Sequence, residues 1–188
     1  ATTDSCDSSW TYECAMQTVP SGPSKDKPTR ILGQNWNNGC ATMPELWGTE
    51  RASSIIDLEG SSNVEVQCLE ITDRSQCVEH HSGNIGCTRG NYPSGQWASR
   101  GIIARDSKNV LLNNLDIHGL ANRGVMAGRL TDWTVKNTKI VANGWAGWDG
   151  DIDGNDASSG MVFKKVNFDW NGCGETYPGK QPIGCWAQ

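Results

Sequence analysis

Apolar and polar residues alternate in the same way in four segments of the chain. The segments begin at residues 63, 109, 132 and 160 and read NVEVQCLEI, NVLLNNLDI, DWTVKNTKI and GMVFKKVNF. In each one the alternation has a period of two, shifts by one position near the centre, and then resumes. A period of two predicts a β-strand, and the shift predicts a tight bend between two short strands.

The spacing of these segments indicates an internal repeat. Their starts are 46, 23 and 28 residues apart, and we interpret the first interval as two periods of 23. Third short strands are predicted at 77–80, 124–127 and 147–150. Three short strands in each repeat describe one coil of a parallel β-helix, whose inner face is buried only when coils stack. A β-sandwich is the alternative, because its strands also recur at short intervals.

The prediction is therefore an all-β, right-handed, single-stranded parallel β-helix in two parts. Residues 1–53 form an N-terminal cap with disulfide-rich loops, and 54–188 form the coils and a C-terminal disulfide loop. The cap would cover strand edges that the end of a stack otherwise exposes. No terminal strand is predicted after residue 171. We therefore expect an incomplete, N-terminal part of a longer helix, or a second chain over that end, unless the tail itself folds back as a cap.

Charge and hydropathy exclude two classes of partner. The formal net charge is -5 and no basic stripe is visible, which argues against nucleic-acid binding. The mean hydropathy is -0.54, and no apolar stretch of about 18 residues exists that could span a membrane.

The eight cysteines indicate an oxidising compartment. They are Cys6, Cys14, Cys40, Cys68, Cys77, Cys87, Cys173 and Cys185. Their even number and irregular spacing favour disulfides over a zinc ribbon. Proximity along the chain favours the pairs 6–14, 77–87 and 173–185, which leaves 40 with 68, although other pairings are open. The first residues are typical of a processed N-terminus, so a secreted or periplasmic protein is expected.

An acidic loop follows the last predicted third strand. Asp149, Asp151 and Asp153 alternate before Gly154, as at the start of a calcium-binding loop. The twelfth position is Gly160, where an EF-hand has Glu, so the loop is not an EF-hand. A Ca²⁺ site is one interpretation, and a solvated acidic turn is the other.

The predicted third strands also place side chains on an outer face. If Val78, Val125 and Trp148 face inward, then Glu79 and Asp149 share one outward column, and His81 and Asp151 share the next. Stacked strands are about 4.8 Å apart, so such columns would form a continuous acidic cleft. Glu79, His81 and Trp145 are therefore candidate polysaccharide-binding residues, with Trp145 as a sugar platform if it is exposed.

The coil Asn-Val-x-Val-x-x-Leu-x-Ile at 63–71, with its copies at 109–117 and 132–140, resembles the right-handed parallel β-helix proteins of the pectate-lyase-like superfamily. The resemblance covers about 54–171 and implies a secreted, polysaccharide-active protein. In the lyases of that superfamily Ca²⁺ neutralises a uronate, and an Arg or Lys removes the proton beside the carboxylate. This implies a calcium-dependent lyase, with Arg123 or Arg129 as the base or as a carboxylate ligand.

Three other functions remain open at this point. The chain could be a non-catalytic carbohydrate-binding or adhesive β-helix, because no base motif of the superfamily is evident. It could be one chain of a processed, larger β-helix enzyme. It could also be a glycoside hydrolase, which needs a pair of carboxyl groups such as Asp149 with Asp151 or Glu79.

Overall fold

The structure is a computed structural model, and it describes residues 17–48, 52–74, 77–80, 83–85, 98–151, 157–176 and 181–185. Within these residues the backbone forms strands and turns, and no helix is present. The strands are β1 Thr29–Leu32, β2 Glu45–Trp47, β3 Ser54–Asp57, β4 Ser62–Thr72, β5 Val78–His80, β6 Gly83–Ile85, β7 Arg100–Arg105, β8 Lys108–His118, β9 Arg123–Gly128, β10 Thr134–Val141, β11 Ala146–Asp149, β12 Val162–Asp169, β13 Cys173–Thr176 and β14 Gln181–Cys185.

Two parallel sheets form the walls of the molecule. The long sheet has the order β1-β4-β8-β10-β12, with β2 also paired to β4, and the short sheet has the order β11-β9-β7-β3. Each strand of the short sheet leads into a strand of the long sheet, which makes four stacked coils: β3 with β4, β7 with β8, β9 with β10, and β11 with β12. The predicted parallel β-helix is confirmed.

A row of left-handed residues explains the shift in the alternating pattern. Cys68, Asn114, Asn137 and Lys165 are stacked in register on β4, β8, β10 and β12, with φ angles of 59°, 51°, 49° and 55°. A left-handed residue turns the chain sharply, and Asn adopts this conformation more readily than most other residues. Each long strand therefore bends at this row and forms two faces of the coil.

The buried interior consists of columns of like residues. Val66, Leu112 and Val135 form one column, and all three are fully buried. Ile71, Ile117 and Ile140 form another on the far side of the bend, also with 0% exposure. Burying each such side chain contributes about 1.5–3 kcal/mol, which stabilises the stack as a whole.

The interpretation of the 46-residue interval as two coils was wrong. Ser62 pairs directly with Lys108, so the interval is one coil with a long insertion between β4 and β7. Strand β5 lies in this insertion and pairs antiparallel with β6 instead of joining the stack. Ile102, rather than Val78, is the neighbour of Val125.

This correction removes Glu79 from the predicted cleft. Glu79 lies on β5, outside the short sheet, and therefore shares no column with Asp149. His81 lies outside the described residues. The prediction for Glu79 failed because the insertion has about the length of one repeat.

The disulfides are confirmed in part. Cys40 and Cys68 form a disulfide, as predicted, and Cys77 is also disulfide-bonded. Strand register places Cys173 opposite Cys185, while Cys6, Cys14 and Cys87 lie outside the described residues. A disulfide indicates a non-cytoplasmic environment. No helix in the described part of the chain is long and apolar enough to cross a membrane.

Candidate functional site

The candidate site lies on the outer face of the short sheet. Ile102 and Val125 are fully buried inside the coils, and the alternate residues Ile103, Met126 and Asp149 form a column on the outside. Arg100 and Arg123 lie beside this column and are also in register with each other. The outer face thus combines cationic, apolar and anionic groups within a few strand spacings.

Arg123 is held by three neighbours. Its Nε donates to Asp149 Oδ2 at 2.5 Å, and its Nη1 donates to Asn122 Oδ1 at 2.5 Å. The guanidinium also lies over the ring of Trp145, 3.8 Å from the ring centroid. Only 11% of the arginine side chain is exposed. An ion pair and a cation–π contact together fix the plane of the guanidinium.

Close stacking of two coils creates this arrangement. Arg123 is in register with Ala146, so Trp145 and Asp149 come from the coil that follows Arg123. Gly124 makes the close approach possible, because a Cβ there would lie 2.8 Å from the carbonyl oxygen of Gly147 and 2.5 Å from Ile140. The Trp145 and Ala146 amides both donate to the Asn122 carbonyl, which fixes the turn beside the guanidinium.

Arg123 retains donors for an anionic ligand. A guanidinium has five N–H donors in one plane. The contacts to Asp149 and Asn122 use one N–H on Nε and one on Nη1, and no acceptor for Nη2 lies among the described residues. Such a fork suits bidentate binding of a carboxylate. Trp145 is half-buried, with Arg123 over one face of its ring.

The described residues do not assemble the predicted calcium site. Asp149 contacts Arg123 through one oxygen, and its other oxygen accepts from the Asp151 amide at 3.3 Å. Asp151 is exposed, and Asp153 lies outside the described residues. No group of three or more potential ligands occurs in the described ranges. The calcium site therefore stays a prediction.

Arg129 lies apart from Arg123, at the opposite end of β9. It makes two bonds to Asp106, from Nε at 2.6 Å and from Nη2 at 2.8 Å. This hydrogen bonding lowers the pKa of the Asp106 carboxyl. Six residues of extended chain separate the two arginines by about 20 Å, so they do not serve one reaction centre together.

Sequence reasoning missed Arg100, Asn122 and Asp73. Arg100 carries a detectable signal, because it precedes Arg123 by one coil and follows the insertion directly. Asn122 carries none, since its role depends on the turn geometry. Asp73 lies at the base of the insertion, where its Oδ2 accepts from the Ala98 amide at 2.8 Å. Burial raises the pKa of the Asp73 carboxyl to about 8.

Comparisons with known proteins give one match. A family model described as "Right handed beta helix region" matches residues 49–176, which include all four coils and the site around Arg123. The search of curated proteins gave no match, and neither did the search of solved structures. The match agrees with the sheet topology and adds the hand of the helix.

Proposed function

The chain belongs to the right-handed β-helix family, and we propose that it acts on a uronate-containing polysaccharide bound across the outer face of the short sheet. The family fold is compatible with polysaccharide-active and carbohydrate-binding proteins. The observation that carries the proposal is the orientation of Arg123 by Asp149, Asn122 and Trp145. Its remaining N–H donors suit the carboxylate that distinguishes a uronate from a neutral sugar.

The reaction we propose is β-elimination. A base removes the proton from the carbon next to the uronate carboxylate, and negative charge develops on the carboxylate. A carbon–carbon double bond then forms as the bond between the neighbouring carbon and the glycosidic oxygen breaks, and that oxygen takes a proton from water. Arg123 would stabilise the developing charge, and it is already oriented before the reaction. Arginine stays protonated in proteins, so carboxylate binding suits Arg123 better than the role of base.

Two neighbouring groups would assist binding. Arg100, one coil away and in register, would place a second cation about 4.8 Å along the stack for a polyanionic chain. Met126 and Ile103 lie in the same outer column as Asp149, where apolar sugar faces could pack. Calcium bound near Asp151 remains part of the proposal as a second way of neutralising uronates.

A non-catalytic carbohydrate-binding β-helix is the second candidate. It is favoured by the ion pair between Arg123 and Asp149, which engages the carboxylate nearest to the arginine. A base would then have to come from elsewhere. This candidate predicts binding of the same polysaccharides without any product.

The test uses the full chain with polygalacturonate, alginate and a neutral glucan. Elimination is followed by the ultraviolet absorbance of unsaturated uronate ends, and binding is measured by affinity electrophoresis, each with added calcium and with a chelator. Arg123→Gln should lose both signals on a uronate polymer, while Arg129→Gln, the matched control directly after the same strand, should keep them.

Each outcome separates the candidates. Absorbance that depends on Arg123 supports the lyase, and binding without absorbance supports the non-catalytic protein. Absence of binding to every uronate polymer, in calcium and in chelator, would contradict both. If absorbance or binding is present with added calcium and lost with the chelator, the result would support the calcium prediction.

A further inference from the structure

Four lysines come together around the bend of the last two coils. Two flank the bend of β10 and two lie at the bend of β12: Lys136, Lys139, Lys164 and Lys165. Lys136 is in register with Lys164, so their backbones lie one strand spacing apart, about 4.8 Å. Lys136 is half-buried and the other three are exposed. This group, the lysine patch, faces outward from the long sheet, whereas the site around Arg123 lies on the short sheet.

The order of the chain hides this patch. Only Lys164 and Lys165 are neighbours in the sequence, and a whole coil of chain separates them from Lys136. The formal net charge of -5 also gives no sign of a basic surface. Because β12 stacks on β10 in register, the fold brings these positive charges together. A basic surface that the sequence does not show is thus formed by the stacking of coils.

The charge along the outer columns changes between the first and the last coils. Two columns change from acidic or neutral residues to lysine: Glu70, Asp116 and Lys139 on one arm of the bend, and Gln67, Asn113, Lys136 and Lys164 on the other. Asp116 is in register with Lys139, yet the two form no ion pair. None of the four lysines has a carboxylate partner within the described part of the chain. The patch therefore concentrates positive charge that the protein itself does not neutralise.

Lys165 occupies a backbone position where the two preceding coils have asparagine. Its φ is 55°, and Asn137 and Asn114 stand in the same row of left-handed residues. Asparagine adopts this conformation readily, and lysine does so less readily. Residues that depart from a local preference in this way are concentrated at functional sites. The departure at Lys165 adds a positive charge at the centre of the patch.

The surroundings of the patch favour a sulfated polysaccharide over nucleic acid. A disulfide indicates a non-cytoplasmic environment, where anionic glycans are the ordinary polyanions. Single-stranded nucleic acid is bound with aromatic platforms for its bases, but Phe163 and Phe168 stand in the interior columns, on the other face of β12. Lysine binds as a compact point charge and lacks the planar fork that suits carboxylates. The patch is therefore better suited to sulfate esters than to uronates.

The acidic coils of a second copy are a less suitable partner. Glu70 Oε1 lies 3.0 Å from Arg74 Nη2 and 2.8 Å from His118 Nε2, and Arg74 also pairs with Glu45. These carboxylates are already engaged within their own chain. A free polyanion has no such internal partners.

We propose that the lysine patch binds a sulfated polysaccharide on the outside of the long sheet and so attaches the protein to a polyanionic surface. Sulfate groups bind the ammonium groups of Lys136, Lys164 and Lys165. Between them, the amide of exposed Asn137 donates to Asn113 through its nitrogen and offers its oxygen to a sugar hydroxyl. The inference goes beyond the proposed function and does not depend on it.

The test measures retardation of the full chain in native gels that contain dextran sulfate, with uncharged dextran as the control polymer. We expect retardation by dextran sulfate alone, and less of it as salt is added. The patch variant combines Lys136→Gln, Lys164→Gln and Lys165→Asn, which copy residues of the same stacked columns, so the fold should tolerate them. It should bind about tenfold more weakly, because each exposed charge contact contributes modestly.

A matched control variant changes the charge by the same amount away from the patch. It combines Lys25→Gln, Lys27→Gln and Lys108→Gln, all at exposed positions. Its affinity for dextran sulfate should stay within about twofold of that of the unsubstituted chain, since distant exposed charges are screened. Both variants should bind polygalacturonate alike, because that polymer is assigned to Arg123 on the other sheet. Failure of uronate binding would therefore leave the result for the patch intact.

Several results would overturn the proposal. They are no retardation by dextran sulfate, equal weakening in the two variants, and loss of polygalacturonate binding in the patch variant alone. Equally tight binding of a single-stranded oligonucleotide through the patch would assign it to nucleic acid instead. A concentration-dependent dimer that the patch variant abolishes, measured by analytical ultracentrifugation, would assign it to a second copy of the chain.

Discussion

The two ends of strand β9 each carry an arginine paired with an aspartate, yet their surroundings differ. At the start of the strand, the side chains of Arg123 and Asp149 are 11% and 23% exposed, and Trp145 lies against the guanidinium. At the end, the side chains of Arg129 and Asp106 are 39% and 57% exposed. Both arginines were predicted from the sequence as candidate catalytic residues. The structure distinguishes them by the burial of their side chains.

This difference shows that an arginine–aspartate pair can fix the orientation of a guanidinium in one environment and have little structural effect in another. An exposed pair is screened by water and contributes little to stability. A shielded pair holds one geometry, because breaking it leaves a charge in a poorly solvated position. The guanidinium at the start of β9 is therefore a fixed cation that a ligand can bind, whereas the ion pair after the end of β9 is exposed to solvent.

The largest effect in this comparison is expected from Arg123→Gln. The substitution leaves Asp149 without its cation and removes the proposed carboxylate fork. We expect a loss of about 2 kcal/mol in the free energy of unfolding and at least a tenfold weaker binding of uronate polymer, about 1.4 kcal/mol. Chemical denaturation and affinity electrophoresis measure the two effects.

Arg123→Lys serves as the control for charge alone. Lysine keeps the positive charge but lacks the planar fork, so it should restore much of the stability and little of the binding. Full restoration of binding by lysine would mean that the geometry of the guanidinium is unimportant, and would contradict the comparison.

A third aspartate extends the comparison to burial alone. Asp73 is buried at the base of the insertion, and desolvation raises its pKa to about 8, whereas pairing with Arg129 lowers the pKa of exposed Asp106. Below pH 4 Asp73 is protonated in both the folded and the unfolded chain. Between about pH 4 and pH 8 only the unfolded chain has lost the proton, so stability falls as the pH rises.

Asp73→Asn should remove this pH-dependent destabilisation. Asparagine keeps an acceptor for the Ala98 amide and never ionises. Each unit of pKa separation corresponds to about 1.4 kcal/mol, so the variant should gain at least about that much over the unsubstituted chain between pH 4 and pH 8. Denaturation at both pH values measures the difference. A gain that is equal at the two values would exclude ionisation of Asp73 as its cause.

The fold was predictable because its signals are local and repeated. The alternation around Val66, Leu112 and Val135 marks buried columns, and the shift at Asn114 and Asn137 marks the bend. The insertion could not be recognised, because 46 residues is twice the 23-residue spacing and Val78 stands where the third short strand of a coil was expected. Spacing alone does not distinguish an additional coil from a loop of the same length.

The site was less predictable because it depends on contacts between coils. Arg123, Trp145 and Asp149 were each identified as candidates, but their roles were assigned separately. Their assembly requires the register of β9 with β11 and the close turn at Gly124. Asn122 has no repeated pattern around it, so no sequence signal indicated its contact with Arg123.

A smaller effect is expected from Trp145→Leu, which removes the ring and keeps the apolar volume in part. A cation–π contact of a partly buried arginine is worth about 1 kcal/mol. We expect a loss of this size in stability and a severalfold weaker binding, because the guanidinium plane becomes less restricted. Binding measured by titration with uronate oligosaccharide would check this. If the ring were a direct sugar platform, neutral oligosaccharide binding would also fall.

The smallest effect is expected from Arg129→Gln at the other end of the strand. Its pair with Asp106 is solvated, so the melting temperature at neutral pH and the binding of uronate polymer should stay within experimental scatter. The one consequence is in acid, where Asp106 loses the partner that lowers its pKa and so takes up a proton at a higher pH. NMR titration of the Asp106 carboxyl measures this shift. A loss of binding as large as that of Arg123→Gln would place the ligand along all of β9, and burial would no longer separate its two ends.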